Sequence, residues 1–370
     1  MELAPEDSLR LNVMLANRPQ AVRIDESRMI LHALSEKGEM EIPLNPTVKD
    51  ELYLKWVREL LSTQVLGTPS GYPLHLQRWT RMGHLQLENV AELLLLGEPE
   101  AVVAVVYSQD LTDELARRAW WAMEDAENAR QMLRVPAVVR GEMGPRLAEW
   151  LVEFLPFETE AEKIMDTVTL VLQPGLVGDR IREELWKRAR RKNAYYVGFL
   201  AALPDQLPEA STASSQYAAC AAPLEALAAN GNGLAALLLR LFSPSGQQWL
   251  KTLKRVLEKP GNQDVVNRVL DVVANHFSPA RPEGLADATL EILEQESADW
   301  LARNEQAAEI LRQCPGLEAQ LKAMRVLSGS GYGVVRPVFG KSDAIGTLMR
   351  RKLQPVMEPY LAQVDRLLAD

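Results

Sequence analysis

The chain has 370 residues and a formal net charge of −9. This length suffices for one large domain or two ordinary domains with complete hydrophobic cores. The acidic balance argues against broad binding of nucleic acids or anionic membranes, because both interactions rest on an excess of Lys and Arg. The only cysteines, Cys220 and Cys314, fall in different segments. The sequence therefore predicts no disulfide framework, and it fits a reducing cytoplasm.

The N-terminal segment predicts a short helix followed by a small β-sheet. Pro5 to Asn17 can form one or two helical turns, and residues 20–44 alternate apolar and polar side chains. Plausible turns at Glu26-Ser27 and Lys37-Gly38 interrupt this alternation. We therefore predict an antiparallel meander at residues 20–44. No apolar run in the chain approaches the roughly 18 residues of a membrane span, so we expect no membrane insertion.

From Thr47 onward, the spacing of the apolar residues is helical. In the first long helix, one face carries Leu52, Trp56, Leu60 and Leu61. Later helix pairs begin at steps of about 30 to 40 residues, which is the range of helical-repeat proteins, although no repeat motif accompanies the spacing. An irregular helical domain is the open alternative. The predicted fold class is therefore mainly α, as an irregular or HEAT-like helical array with a small N-terminal antiparallel β meander.

Composition divides the chain into three parts. We assign the N-terminal helix and meander to residues 1–46, a helical domain to 47–205 and a second helical domain to 206–370. The last boundary follows from residues 203–216, which carry Pro, Ser and Thr without an apolar period and are typical of a linker or long loop. Within the third part, we predict a glycine-rich connector at residues 328–341 and a helix at the C-terminus.

The stretch GSGYGVVRPVFGKS, residues 329–342, imitates two phosphate-binding loops. It ends as a P-loop does, but Val335 occupies the position of the required first glycine and Pro337 lacks an N–H group. The first three glycines are spaced two and two, which does not fit the kinase glycine loop. Lys341 and Ser342 remain as candidates for anion binding at the start of a predicted helix. We favour the alternative, a flexible connector in which Ser342 caps that helix.

Cationic and aromatic side chains cluster within LWKRARRKNAYYVGF, residues 185–199. Phosphate contact combined with base stacking would use this mixture, so the segment is a candidate site for RNA or another ligand. We favour the alternative, an exposed helix face held by i,i+4 ion pairs, with the aromatic side chains turned to the core. The basic patch comprises Lys187, Arg188, Arg190, Arg191 and Lys192, and its aromatic neighbours are Trp186, Tyr195 and Tyr196.

The histidines and cysteines match no metal-binding or catalytic motif. No His follows a Glu by three residues, and the patterns H-E-x-x-H and G-x-S-x-G are absent. His75 and His84 flank Trp79, and we assign them no function. Cys220 could accept sulfane sulfur if its thiolate were exposed near positive charge, whereas Cys314 stands at a helix end whose dipole disfavours a thiolate. We expect no cofactor and no metal, and we favour a protein that is not an enzyme.

Four segments resemble a known family. They are LLLLGEPEAVVAVV (93–106), LARRAWWAM (115–123), EWLVEFLPFE (149–158) and KNAYYVGFLAALPD (192–205). In a chain of this length they resemble the DsrS family of sulfur-reduction proteins, most closely over the first 205 residues or so. The resemblance implies a cytoplasmic protein of sulfur-oxidising bacteria, encoded beside the reverse-acting dissimilatory sulfite reductase. It implies no catalytic or cofactor residue.

Three functions from different classes follow. The favoured one is a non-enzymatic accessory or regulatory protein that binds proteins of the dissimilatory sulfur oxidation system through its helical faces. The second is a thiol protein that handles sulfur through Cys220 or Cys314. The third is a protein that binds a ligand or RNA through residues 329–342 or 186–196. We expect no binding to DNA.

Overall fold

The fold is mainly α-helical with one three-stranded antiparallel sheet near the N-terminus, as the sequence predicts. The computed structural model describes residues 3–67, 90–284 and 286–368. The pair of histidines around Trp79, His75 and His84, lies outside the described residues.

The described residues form two units, and their division does not follow the predicted linker. Unit 1 comprises the residues up to Phe154 together with Pro174–Leu176. Unit 2 comprises Leu155–Gln173 and the residues from Val177 onward. Residues 203–216, the predicted linker, lie within unit 2.

Unit 1 begins with the predicted helix and meander. The strand Ile30–Ser35 is central in the sheet. Its fully buried Leu31 stands opposite Ile24 of one neighbouring strand and Ile42 of the other. The core of this part contains Leu11 and Met14 from the first helix, so the helix covers one face of the sheet. The elements are α1 (Pro5–Ala16), β1 (Ala21–Asp25), β2 (Ile30–Ser35), β3 (Gly38–Pro43) and α2 (Asp50–Leu66).

The buried face of α2 differs from the predicted one. Leu61 is buried as expected, but Leu52 is 41% exposed. Tyr53 and Val57 occupy the core instead, at intervals of four residues before Leu61. A polar contact fixes this orientation, because the Tyr53 hydroxyl donates a hydrogen bond to the buried Asp7 carboxylate of α1. The spacing of apolar residues in a sequence cannot reveal a buried polar contact with another helix, so it did not predict this orientation.

The rest of unit 1 consists of short helices with capped ends. The Thr112 hydroxyl accepts from the Leu115 N–H group, and the Asp125 carboxylate caps the next helix in the same way. The Asp113 carboxylate accepts from the backbone N–H groups of Glu142 and Met143, which fixes the start of the last helix. The elements are a 3₁₀ turn (Val90–Leu95), α3 (Pro99–Val106), α4 (Asp113–Ala122), α5 (Ala126–Met132), α6 (Pro136–Val139) and α7 (Met143–Phe154).

Unit 2 is entirely helical over its described residues, and its helices and 3₁₀ turns follow one another closely along the chain. The helices are α8 (Ala161–Val171), α9 (Asp179–Ala189), α10 (Ala194–Ala202), α11 (Ser215–Ala229), α12 (Gly233–Phe242), α13 (Pro244–Glu258), α14 (Gln263–His276), α15 (Leu290–Arg303), α16 (Glu305–Gln313), α17 (Glu318–Ser328), α18 (Tyr332–Phe339) and α19 (Gly346–Asp365). The 3₁₀ turns are Leu155–Phe157, Ser278–Ala280 and Pro315–Leu317.

Helix α10 is the centre of unit 2 and explains why no boundary falls after it. It is buried on all sides and packs against α8, α13 and α14. Gly198 permits the close approach to α8, because a Cβ atom there would lie 2.6 Å from Val168. The loop that follows α10 is also tied to the unit, since the Ser214 N–H group donates to the Phe242 carbonyl oxygen at 2.9 Å.

The predicted connector at residues 328–341 is mostly helical. Helix α18 occupies its centre, and the helix after it begins at Gly346 instead of near Ser342. Gly329 and Gly333 serve close packing, because a Cβ atom on Gly329 would clash with the Leu293 side chain and one on Gly333 would lie 2.6 Å from the backbone of Ala288. Neither glycine has a left-handed φ. The helix buries Val334, Val335 and Phe339. Residues 332–339 of the predicted connector therefore form a helix.

Candidate anion-binding site

A cleft of about 620 Å³ opens in unit 2 where the C-terminal ends of α9 and α13 meet. Its lining contains five cationic side chains and one carboxylate, which is a strong local excess of positive charge in a chain whose net charge is −9. We call it the basic cleft. The charged lining residues are Arg190, Arg191, Lys192, Arg255, Lys259 and Glu209.

The cations of the basic cleft stand at helix C-termini for an electrostatic reason. The turn 190–192 follows the last residue of α9, and Lys259 follows the last residue of α13. Carbonyl groups at a helix C-terminus carry partial negative charge, which favours cationic side chains there. Asn193 joins the two helix ends, because its Nδ2 atom donates to the Lys259 carbonyl oxygen at 2.7 Å. Two separate basic ends are thereby held at one place.

The floor of the basic cleft consists of Tyr196, Glu209 and Arg255, which hydrogen bonds hold in place. Arg255 donates to the Tyr196 hydroxyl at 3.1 Å and to the Glu209 carboxylate at 3.3 Å. Gln248 donates to the same carboxylate at 3.2 Å. Burial opposes ionisation of Glu209, but the hydrogen bonds and charge of Arg255 outweigh it and lower the pKa of that carboxyl group. Burial likewise opposes the charge of Arg255, and its bonds to Tyr196 and Glu209 raise its pKa. Both floor groups are therefore charged and engaged.

The rim of the basic cleft consists of Arg190, Arg191, Lys192 and Lys259, and carboxylates do not balance its charge in this way. The Lys192 ammonium donates to the backbone carbonyl oxygen of Glu158 at 3.0 Å, and Arg190 approaches Glu209 at 3.9 Å. Arg191 and Lys259 are exposed and form no ion pair with any residue that the structure describes. These two side chains offer their full charge to an anion from outside.

The predicted basic patch thus divides into two parts. Lys187 lies 3.9 Å from Glu183, and Arg188 lies 2.5 Å from Glu184, as the favoured i,i+4 interpretation predicts. Neither cation lines the basic cleft. The remaining part, residues 190–192, does line it. The sequence therefore locates half of the cleft but does not separate it from its paired neighbours.

The aromatic neighbours of the patch are buried. Trp186 and Tyr196 pack edge to face with ring centroids 4.7 Å apart, and Tyr196 is only 2% exposed. Tyr195 is buried as well. Stacking of bases requires an exposed ring face, which these three side chains do not provide. The sequence pattern favoured their burial. Because they are buried, they cannot stack on RNA bases, and only phosphate contact by the cations remains of the RNA hypothesis.

Lys341 and Ser342 do not form an anion cradle. The Ser342 hydroxyl accepts from the Lys352 ammonium at 2.7 Å and from the Ala344 N–H group at 3.2 Å. The Ser342 carbonyl oxygen accepts from the side chain of Gln263 at 3.1 Å. These bonds close a loop four residues before α19 begins, so Ser342 is not the N-cap of that helix. The helix N-terminus expected behind Lys341 is therefore elsewhere.

The structure brings Cys220 and Cys314 together, which the sequence did not predict. Cys220 lies on α11, and Cys314 directly follows α16, a helix that packs against α11. Burial raises the pKa of the Cys314 thiol to about 11, and the hydrogen bond and charge of the Cys220 thiol contribute to this shift. The Cys314 thiolate is thus disfavoured, and burial is the main cause.

Sequence reasoning missed the contributions of α13 and of the loop before α11. Arg255 and Lys259 are four residues apart, and Pro260-Gly261 follows them. Two cations at this spacing before a helix stop share one face at a helix C-terminus, which is a usable signal. Glu209 gave no such signal, because it lies in a loop without an apolar period.

Comparison with known proteins identifies no relative: no family model, curated protein or solved structure matches the chain. Over the described residues, no helix is both long and apolar enough to cross a membrane. Within the same residues, no group of three or more His, Cys, Asp or Glu side chains is placed to hold a metal ion.

Proposed function

We propose that this chain is a non-enzymatic accessory protein of cytoplasmic sulfur oxidation, and that its basic cleft binds an acidic segment of a partner protein. The sulfur context rests on the resemblance of four sequence segments to the DsrS family. The binding role rests on one observation, the rim of the basic cleft with its two unpaired cations. The partners are proteins of the dissimilatory sulfur oxidation system.

The burial pattern favours a protein segment over a small molecule. Pockets for small ligands use a few buried polar groups that point at the ligand and fix its orientation. In the basic cleft, Tyr196 is the one buried polar side chain among the described lining residues, and Arg255 already engages its hydroxyl. The unpaired groups are long, exposed side chains, which suit an extended carboxylate-bearing surface.

The charge distribution supports the same conclusion. A chain with a net charge of −9 repels acidic molecules in general, so a local cluster of cations restricts their approach to one place. RNA would meet the same general repulsion without the stacking contacts that strengthen binding of single strands. An acidic peptide needs only the charges that the rim provides.

A binding experiment with an oligoglutamate peptide tests this proposal. We expect the double variant Arg191→Glu/Lys259→Glu to weaken binding by at least about tenfold, which corresponds to ~1.4 kcal/mol. Lys187→Glu/Arg188→Glu is the matched control, because it makes the same charge change on the neighbouring paired cations. We expect it to change the affinity by less than about threefold. Equal losses in both variants, or tighter binding of oligouridylate than of oligoglutamate, would contradict a site for acidic protein segments.

Affinity isolation then tests the sulfur context. Tagged wild-type protein and the Arg191→Glu/Lys259→Glu variant are recovered from cells that are oxidising sulfur, and the bound proteins are identified. We expect components of the sulfur oxidation machinery with the wild-type protein and their depletion with the variant. Recovery of the same components with both proteins would show that these partners do not bind at the basic cleft.

A further inference from the structure

The second observation in unit 2 concerns its two thiols and is independent of the basic cleft. These are the only cysteines among 370 residues, and they lie 94 positions apart in the sequence. The packing of α11 against α16 nevertheless places them within interaction distance. Two cysteines brought together by tertiary packing can react with each other, which neither can do alone.

The two thiols differ in accessibility. Cys314 is 5% exposed, and its backbone N–H group donates to the Ile310 carbonyl oxygen at 2.7 Å, which fixes it at the end of α16. Cys220 is half-buried and is reachable from solvent. A reagent in solution therefore meets Cys220 first, while Cys314 lies behind it.

Helix α11, which carries Cys220, buries few of its side chains. Only Leu224 and Leu227 of its fifteen residues are buried, and Pro223 interrupts its hydrogen-bonding ladder. Helices with few buried apolar contacts open locally at low cost in free energy. Helix α16 is better anchored for its length, because Ala307 and Ile310 are fully buried within nine residues.

We propose that Cys220 and Cys314 form a reversible intramolecular disulfide that fastens α11 to the end of α16. Cys220 Sγ, as a thiolate, attacks a low-molecular-weight disulfide; a mixed disulfide forms and one small thiolate leaves. Cys314 then loses its proton to solvent, and its Sγ attacks Cys220 Sγ and releases the second small thiolate. Two protein thiols are oxidised by two electrons, and one small disulfide is reduced to two thiols.

The order of the two steps follows from the environments of the sulfurs. Attack requires a thiolate, and the raised pKa of Cys314 leaves it almost entirely protonated near neutral pH. The second step is therefore slow, and the mixed disulfide on Cys220 accumulates before the ring closes. Raising the pH accelerates closure about tenfold per pH unit below the pKa of Cys314.

Oxidised glutathione is the probe that tests this proposal. Wild-type protein is incubated with it at pH 8, quenched with acid and weighed as an intact chain. We expect a transient adduct of one glutathione, followed by a species two hydrogens lighter than the reduced protein. Cys314→Ser is expected to stop at the adduct, and Cys220→Ser is expected to stay unmodified. Wild-type protein that stops at the adduct, or that links two chains, would overturn the proposal.

Hydrogen exchange gives a second measurement that does not depend on the serine variants. We expect amide exchange in residues 215–229 to slow at least about fivefold in the oxidised protein, because the disulfide suppresses local opening of α11. Glutathionylated Cys314→Ala, which carries the adduct without the ring, is the matched control and is expected to keep fast exchange. Unchanged exchange in the oxidised wild type would show that the disulfide does not hold the helix. The variant Arg191→Glu/Lys259→Glu is expected to oxidise normally.

Discussion

Unit 2 contains two clusters of arginines with opposite uses of their charge. The basic cleft exposes its rim cations and leaves Arg191 and Lys259 without ion pairs among the described residues. A second group, which we call the core ion cluster, buries Arg281 and Arg325 behind carboxylates. The residue types are similar in both clusters. The difference lies in burial and in the number of counter-ions.

The core ion cluster is balanced charge for charge. Arg281 lies 2.6 Å from Glu296, and Arg325 forms ion pairs with both Glu283 and Glu296. Arg325 also donates to the Ala280 carbonyl oxygen at 2.8 Å. Buried cations without such partners would cost several kcal/mol each, so the cluster is consistent with a structural role. The comparison indicates that an unbalanced, exposed rim is what marks a binding surface.

Removal of Arg325 is the strongest test of this comparison. Arg325→Ala leaves Glu283 and Glu296 with Arg281 as their one remaining ion-pair partner among the described residues, and the Ala280 carbonyl oxygen loses its donor, so we expect a loss of about 3 kcal/mol in the free energy of unfolding. Arg191→Ala, in the basic cleft, is the matched control and is expected to change it by less than about 0.5 kcal/mol. Urea denaturation followed by circular dichroism measures both. Similar losses in the two variants would erase the distinction between the clusters.

Acid unfolding tests a half-buried histidine whose surroundings oppose its protonation. Burial and the charge of Arg240 lower the pKa of His276 from 6.5 to about 3, and the Nε2 atom of this histidine has no hydrogen-bond partner within the described residues. Below pH 6.5 the unfolded chain takes up a proton that the folded protein rejects, so the free energy of unfolding falls as the pH drops towards 3.

His276→Phe should remove this acid sensitivity. The ring of His276 stacks on that of Trp249, with the ring centroids 3.9 Å apart. Phenylalanine preserves an aromatic ring there and removes the group that binds the proton. We expect the variant to lose about 2 kcal/mol less than wild type between neutral pH and pH ~4. Urea unfolding at several pH values measures the difference. Parallel pH dependences would place the acid sensitivity in other groups.

Local signals in the sequence account for the parts of this fold that were predicted correctly. Alternation at residues 20–44 and the break at Lys37-Gly38 are properties of adjacent residues, and the meander follows from them. The basic patch was visible for the same reason, because its five cations lie within six positions. Ion pairs within α9 engage Lys187 and Arg188, and neither lines the basic cleft, a division of the patch that the sequence analysis did not make.

The features that were missed depend on contacts between distant segments. Arg255 joins the turn after α9 only through the packing of α10 on α13, and the two cysteines meet only through α11 and α16. Gly333 was assigned to a flexible connector, because a glycine that makes room for the backbone of Ala288 looks identical in sequence to one that allows a turn. Contacts between distant segments decide which of these two roles a glycine has, and no local sequence pattern encodes such contacts.

Salt separates the two arginine clusters more finely. Exposed charges are screened over about 10 Å at 0.1 M salt, whereas buried pairs are screened much less. We expect the affinity of the basic cleft for oligoglutamate to fall roughly tenfold between 50 and 200 mM salt. The Arg325→Ala destabilisation should change by less than about 0.5 kcal/mol over the same range. Binding that ignores salt would mean that the rim cations do not carry it.

The smallest expected effect concerns the floor of the basic cleft. Tyr196→Phe keeps the buried ring against Trp186 and removes one hydroxyl, while Arg255 retains its bond to Glu209. We expect a loss of about 1 kcal/mol in the free energy of unfolding and only about a twofold change in affinity for oligoglutamate. The reason is that the floor positions Arg255 but the rim supplies the charge. A loss of affinity of tenfold or more would mean that the hydroxyl itself contacts the ligand, and the basic cleft would then be a pocket for a small anion.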